Sequence, residues 1–286
     1  MTSNTSPQRN EHIAFIGGGN MASAIIGGLI KQGLAPSQID VVEPFAEARD
    51  KLQRQFGLTA QATPTAALEQ AALVVWAVKP QTFKEAALQT RAHTAGALHL
   101  SVAAGIRSDS IARWLGTERV VRAMPNTPAL VGKGMTALFA RAAATNADRQ
   151  RVLHVLAPTG DCLWVAQEVQ LDAVTALSGS GPAYVFYFIE AMTQAGVDMG
   201  LPHAQAQQLA VGTFVGASEL ARASDEPPEV LRQRVTSKGG TTYAAITSME
   251  QDDIKTLFMR AMRAAQQRAR ELGDEFGDAE RRSLKS

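Results

Sequence analysis

The stretch from His12 to Gly33, "HIAFIGGGNMASAIIGGLIKQG", reads as a short apolar strand, a glycine turn and an apolar helix in direct succession. A strand that runs straight into a helix pairs with the next strand by a crossover, and repeating that unit builds a parallel sheet with helices on its faces. The pattern does repeat. Apolar runs recur at "IDVVE" (39–43), "LVVWAV" (73–78), "LHLSVA" (98–103) and "RVVRAM" (119–124), with helical stretches between, and "GMTALFA" and "CLWVA" follow before about residue 167. Residues 12–167 are therefore expected to form an α/β domain, a doubly wound sheet of the Rossmann type.

The alternation then stops, and 168–273 reads as an all-helical domain. One helix is expected over 181–199, with Pro182 in its first turn, Ser178 or Ser180 as its cap and Gly200 at its end. Others cover roughly 203–223 and 228–236, and a last one runs from about Asp253 to Leu272. The 181–199 helix is nearly all apolar, so it cannot be the surface helix of a monomer. It is either core within one chain or, as we favour, part of helices interleaved across a homodimer. Gly212 and Gly216, four apart, leave room for a second backbone. Residues 1–11 and 274–286 are read as polar and charged tails.

Charge narrows the partners. The 28 basic and 27 acidic side chains leave a net charge of +1, with no basic stripe for nucleic acid or an anionic bilayer. Cys162 is the only cysteine, so no intrachain disulfide can form. The N-terminus lacks the apolar segment of a signal peptide, and no run is long enough to span a membrane. A cytoplasmic protein without a metal site is expected.

Gly17, Gly19 and Ala22 fall at the spacing G-x-G-x-x-G/A between strand and helix, which gives a tight turn, space for a pyrophosphate at the backbone and close helix packing. A dinucleotide is expected on Ile16, Gly17, Gly18, Gly19, Asn20 and Met21, at a helix N-terminus. Glu43 ends the second strand, where a carboxylate can take a ribose 2′-hydroxyl. Arg49 and Lys51 follow closely and could instead meet a 2′-phosphate, so NADH and NADPH both stay open. The loops after later strands, Ala77, Val78, Lys79 and Pro80, then Val102, Ala103 and Ala104, then Asn126 between Pro125 and Pro128, fall at the same sheet edge and leave space for a flat nicotinamide.

Two further motifs, "LSGSGPAY" (177–184) and "VTSKGGTTYAAITSME" (235–250), join the others in a pattern that resembles the pyrroline-5-carboxylate reductase family. Pro228, Leu231, Val235, Thr236, Ser237, Gly239, Gly240, Thr242, Ala245, Ile246, Met249 and Glu250 fill that family's C-terminal signature. The resemblance implies a Rossmann domain followed by a helical dimerisation domain like the C-terminal domain of 6-phosphogluconate dehydrogenase. It also implies a homodimer, with larger assemblies of dimers in some members, and reduction of 1-pyrroline-5-carboxylate to L-proline with NADPH or NADH. Substrate is implied at Gly239, Gly240, Thr241 and Thr242, with main-chain amides on its carboxylate and the Thr242 hydroxyl on the ring nitrogen. Glu168 matches a position near the substrate more loosely, and Ser237 touches substrate, orients the loop or caps the following helix. Pro64 departs from the family, whose equivalent loop often carries an asparagine near the adenosine.

The chemistry agrees. Carbonyl reduction calls for a positioned proton donor, and the five histidines all lie outside these motifs. An imine nitrogen is basic enough to arrive protonated, so its reduction needs orientation and a hydrogen bond more than a strong acid. Lys238 stands in a position the signature leaves free and is read as solvated. The rival of related build is a two-domain reductase of other cyclic imines or a β-hydroxyacid dehydrogenase; the latter would want a lysine on a helix of the second half, and none occurs between 171 and 237. A non-catalytic dinucleotide sensor would leave the Gly-Gly-Thr-Thr loop without a purpose.

Overall fold

A computed structural model of the chain describes residues 12–283, so the expected tail at 1–11 lies outside the described residues. The chain divides into two compact units. One runs to Gly179 and takes up the chain again from Gln266; the other is Ser180–Ala265.

The first unit is built on seven strands: β1 (His12–Ile16), β2 (Ile39–Val42), β3 (Ala71–Trp76), β4 (Leu98–Ser101), β5 (Val120–Met124), β6 (Gly134–Ala140) and β7 (Gly160–Trp164), in the order β2-β1-β3-β4-β5-β6-β7. Pairing is parallel throughout except between β5 and β6, which are antiparallel. The parallel pairing expected from the alternation of strands and helices holds through β5, and the step to β6 is antiparallel for a simple reason. Only a loop and a 3-10 turn over Thr127–Val131 separate the two strands, too little chain for a crossover helix.

Helices α1 (Asn20–Lys31), α2 (Ala46–Phe56), α3 (Pro80–Thr90), α4 (Ser108–Leu115) and α5 (Asn146–Leu156) cover both faces of the sheet. Strand side chains alternate accordingly. Phe15, Leu73, Val75 and Val121 pack with Ile25, Leu29, Leu52 and Val152 on one face. Ala14, Val74, Trp76 and Val120 pack with Phe83, Ile111 and Trp114 on the other. The two sides therefore bury separate clusters, and the strand ends are left free for loops.

A short helix, α6 (Gln170–Val174), passes through a π-helical turn over Thr175–Gly179 into α7 (Gly181–Asp198). Ser180 precedes α7 but its side chain makes no capping bond, because the helical backbone arrives already turned; the expected serine cap is not used. The helical unit continues with α8 (His203–Ala223), α9 (Pro228–Arg234) and α10 (Thr241–Gln251), and α11 (Ile254–Ser283) runs on past the end expected at Leu272.

Within the helical unit α7 leaves Phe186 and Tyr187 exposed, and α8 leaves Leu209, Val215 and Leu220 exposed. An added Cβ at Gly212 or Gly216 would meet nothing within 4 Å. Among the described residues no helix is long and apolar enough to cross a membrane.

Candidate functional site

Four adjacent strand ends converge on one edge of the sheet. The N–H of Gly17 donates to the Val42 carbonyl (2.8 Å), that of Ala77 to Ile16 (2.8 Å) and that of Val102 to Trp76 (3.0 Å). The expected cofactor residues Ile16–Met21, Glu43, Ala77–Pro80 and Val102–Ala104 are thereby brought side by side at the carboxyl ends of β2, β1, β3 and β4, where open α/β sheets bind ligands.

The glycine turn suits a dinucleotide. Gly17 has φ +95°, and a Cβ there would stand 2.6 Å from the Ala77 carbonyl oxygen, so the chain can pass only as glycine. Gly19, by contrast, faces open space and begins α1 without a side-chain cap or an acidic residue in the first turn. Amides of that uncapped helix start, with the helix dipole behind them, are free to receive phosphate oxygens. The residues present thus fit the cofactor that the motif implies.

Glu43 is 6% exposed. Its Oε2 accepts the Gly18 N–H at 2.8 Å and its Oε1 the Phe45 N–H at 2.9 Å. The carboxylate holds the glycine turn against the end of β2. Lys79 is exposed at the start of α3.

Asn126 and Glu168 are placed in structural roles that the motif reading did not foresee. The Asn126 Oδ1 accepts the Met135 N–H (2.9 Å) and its Nδ2 donates to Ser178 Oγ (3.1 Å), so the side-chain amide ties the β5–β6 turn to the π-helical segment. Glu168 Oε1 accepts from Arg122 Nη1 (2.5 Å) and from the Ser108 N–H (2.6 Å), while Oε2 accepts from Ser108 Oγ (2.5 Å). It caps the start of α4 and neutralises a buried arginine. Asp172 lies in the same cluster. Burial pushes its carboxyl above the usual range, with Arg122, Arg107 and Arg270 pulling the other way. No spacing signal in the sequence marks Arg122, since an arginine inside an apolar strand run reads equally as an edge residue.

The second motif is compact. Gly239 adopts φ +77°, and Gly240 lies so close to Ser237 that a Cβ there would meet its Oγ at 2.9 Å. The Gly240 N–H is taken by the Ser237 carbonyl at 3.0 Å. Ser237 therefore shapes the loop through its main chain, and the amides left for a ligand begin at Thr241. They open α10, which has no side-chain cap and no acidic residue in its first turn. Thr241, Thr242 and Lys238 are exposed. A separate cavity of about 570 Å³ in the helical unit is lined by Phe188, Pro228, Arg232, Ile246, Met249 and Phe258 among others, and takes in none of the Gly-Gly-Thr-Thr residues.

Similarity to known proteins follows both halves of this arrangement. Residues 168–272 match the model described as pyrroline-5-carboxylate reductase dimerisation, and residues 12–105 the one described as NADP oxidoreductase, coenzyme F420-dependent. The pyrroline-5-carboxylate reductase of Pseudomonas aeruginosa is 44% identical over 93% of this chain and 98% of its own. A solved pyrroline-5-carboxylate reductase from Coxiella burnetii superposes with a TM-score of 0.86 at 36% identity, covering 92% of this chain and 98% of that one. The pyrroline carboxylate reductase of Plasmodium falciparum, solved with NADP bound, gives 0.83 at 27% identity, covering 93% and 99%.

Proposed function

Because the chain belongs to the pyrroline-5-carboxylate reductase family, we propose how its own residues carry out the reaction of that family. It is an NAD(P)H-dependent oxidoreductase that reduces the C=N bond of 1-pyrroline-5-carboxylate to L-proline. The observation that carries the residue assignment is the uncapped start of α10 with a threonine hydroxyl in its first turn.

The bound nicotinamide supplies the hydride. The amides of Thr241 and Thr242 receive the substrate carboxylate, whose negative charge suits the positive end of the α10 dipole. Gly239 and Gly240 keep side chains out of that approach. The Thr242 hydroxyl hydrogen-bonds the ring nitrogen and holds the proton there, so that the adjacent carbon stays electrophilic and correctly oriented. Ile16–Met21, with Ala77–Pro80 and Val102–Ala104, form the cofactor cradle. Glu43, Asn126, Glu168 and Ser237 act one step back, by fixing the loops that make these contacts.

The working unit is a homodimer in the cytoplasm. The family match at 168–272 supports it, as do the exposed apolar side chains of α7 and α8, which a second copy would remove from water.

Following NADPH and NADH absorbance tests the reading, with pyrroline-5-carboxylate, pyrroline-2-carboxylate and the aldehyde substrate of a β-hydroxyacid dehydrogenase offered in turn. Turnover is expected with the first. Turnover of either of the others, with none of the first, would overturn it.

A further inference from the structure

Resting on that functional reading, we propose that Arg49 is the residue that selects NADPH, by binding the 2′-phosphate of its adenosine ribose. Arg49 is half-buried in the first turns of α2. Its Nη1 donates to the carbonyl of Glu43 at 2.9 Å and to that of Pro44 at 2.7 Å, which uses both N–H groups of that nitrogen. Those carbonyls lie just past the end of β2, the strand end at which this fold receives the adenosine ribose. Among the described residues no carboxylate lies within ion-pair distance of the guanidinium. Among the described residues, the N–H groups on Nη2 and Nε have no protein acceptor.

An arginine held by two carbonyls and lacking an anion is a pre-ordered anion receptor. Its side-chain entropy is already lost, and the remaining planar N–H edge matches phosphate oxygens.

The carboxylate at this strand end is held by main-chain donors. Glu43 is buried, and its two oxygens are engaged by the Gly18 and Phe45 main-chain N–H groups, which turns the carboxylate toward the glycine turn and its own loop. Glu47, Asp50 and Lys51 are exposed on α2, and together with Arg49 they carry two charges of each sign. Phe45, on the same turn and 73% exposed, offers an apolar surface for the adenine. The chemical class selected is a ribose 2′-phosphomonoester, as distinct from a free 2′-hydroxyl.

The test uses fragments without a nicotinamide, so that binding is read apart from activity. Calorimetry with full-length protein compares 2′,5′-ADP with 5′-AMP. Wild type is expected to prefer 2′,5′-ADP. Arg49→Ala is expected to weaken it by about tenfold to a hundredfold and leave 5′-AMP within about twofold. Arg49→Lys, which keeps the charge and loses the fork, should fall between. Equal wild-type affinity for the two fragments overturns the proposal. So does an equal loss for both in Arg49→Ala, which would make Arg49 only a strut of the turn.

Should Arg49→Ala fail to fold, as read by circular dichroism, Arg49→Lys and wild type carry the test. The wild-type preference for 2′,5′-ADP must then shrink as ionic strength rises, and a preference insensitive to salt overturns the proposal. Steady-state turnover of pyrroline-5-carboxylate with each cofactor separates the two readings. No turnover with either sinks the functional reading and leaves the fragment result standing.

Discussion

Glu168 places one carboxylate oxygen 2.5 Å from Arg122 Nη1, and the Arg122 side chain is only 9% exposed. Replacing that carboxylate by an amide takes from Arg122 the anion bonded to it and from the start of α4 one of its two acceptor oxygens. Glu168→Gln is expected to lower unfolding stability by about 3 kcal/mol, read from the urea midpoint at an unchanged slope. The KM for pyrroline-5-carboxylate should stay within about twofold, since a residue that touches no substrate carries no binding energy to lose. A raised KM at unchanged stability would return Glu168 to the substrate site.

Trp76 and His99 give the sheet a pH dependence. The indole N–H of Trp76 donates to His99 Nδ1 at 3.0 Å, which requires that nitrogen unprotonated, and burial pushes the imidazole from 6.5 down to about 4. The unfolded chain therefore binds a proton that the folded chain refuses over that window. Stability present above pH 6.5 is lost as the pH falls towards about 4, by roughly 3 kcal/mol in all. Asp148 adds a separate loss. Burial raises its carboxyl, but Arg119 and Thr145 together outweigh burial and hold it below 3.8, so its contribution fades only below that pH. Chemical denaturation across pH 4 to 7 is expected to show the slope in wild type and a much flatter one in His99→Gln.

The seven strands and the long helices were legible because burial writes itself into sequence as period. Two-sided strands such as "LVVWAV" are continuously apolar, and α8 begins and ends within a residue of its expected limits. What the sequence left hidden is local geometry that no period records. The antiparallel step at β6 follows from the length of one connection. The π-helical turn before α7 replaces a cap with continuous helix. The glycine turn and the Gly-Gly-Thr-Thr helix start were legible as motifs because each passes through a left-handed position, Gly17 and Gly239, that favours glycine. The true partners of Asn126 and Glu168 lie far apart in sequence, at Ser178 and at Ser108 and Arg122, where no spacing rule reaches.

The glycines of the turn are separable by experiment. At Gly17 an alanine meets the Ala77 carbonyl at 2.6 Å on a backbone of φ +95°. Gly17→Ala should cost at least about 1–2 kcal/mol of stability from the left-handed conformation alone. Gly19 has φ −71° and nothing within 4 Å. Gly19→Ala should therefore fold with unchanged stability and still lose cofactor, because its methyl occupies space meant for the pyrophosphate. Thermal unfolding and NADPH fluorescence titration, run on both variants, distinguish the two effects. If Gly19→Ala binds NADPH normally, the cofactor does not cross the turn at that point.

Thr242 carries the chemistry in this reading, and its exposed position makes the test clean. Thr242→Val replaces the hydroxyl with a methyl of nearly equal volume at a surface site in the first turn of α10, so the fold is expected to survive. Cofactor affinity should not change, because Thr242 has no place in the cradle. A hydrogen bond to a charged nitrogen contributes about 1.5–3 kcal/mol, so kcat should fall roughly tenfold to a hundredfold. Thr242→Ser keeps the oxygen and should recover most of the rate. The carboxylate amides are main-chain and survive both substitutions, so KM should move less than kcat. A Thr242→Val enzyme with an undiminished kcat and a raised KM would show that the hydroxyl serves binding alone and that the iminium N–H donates to another acceptor in the reaction.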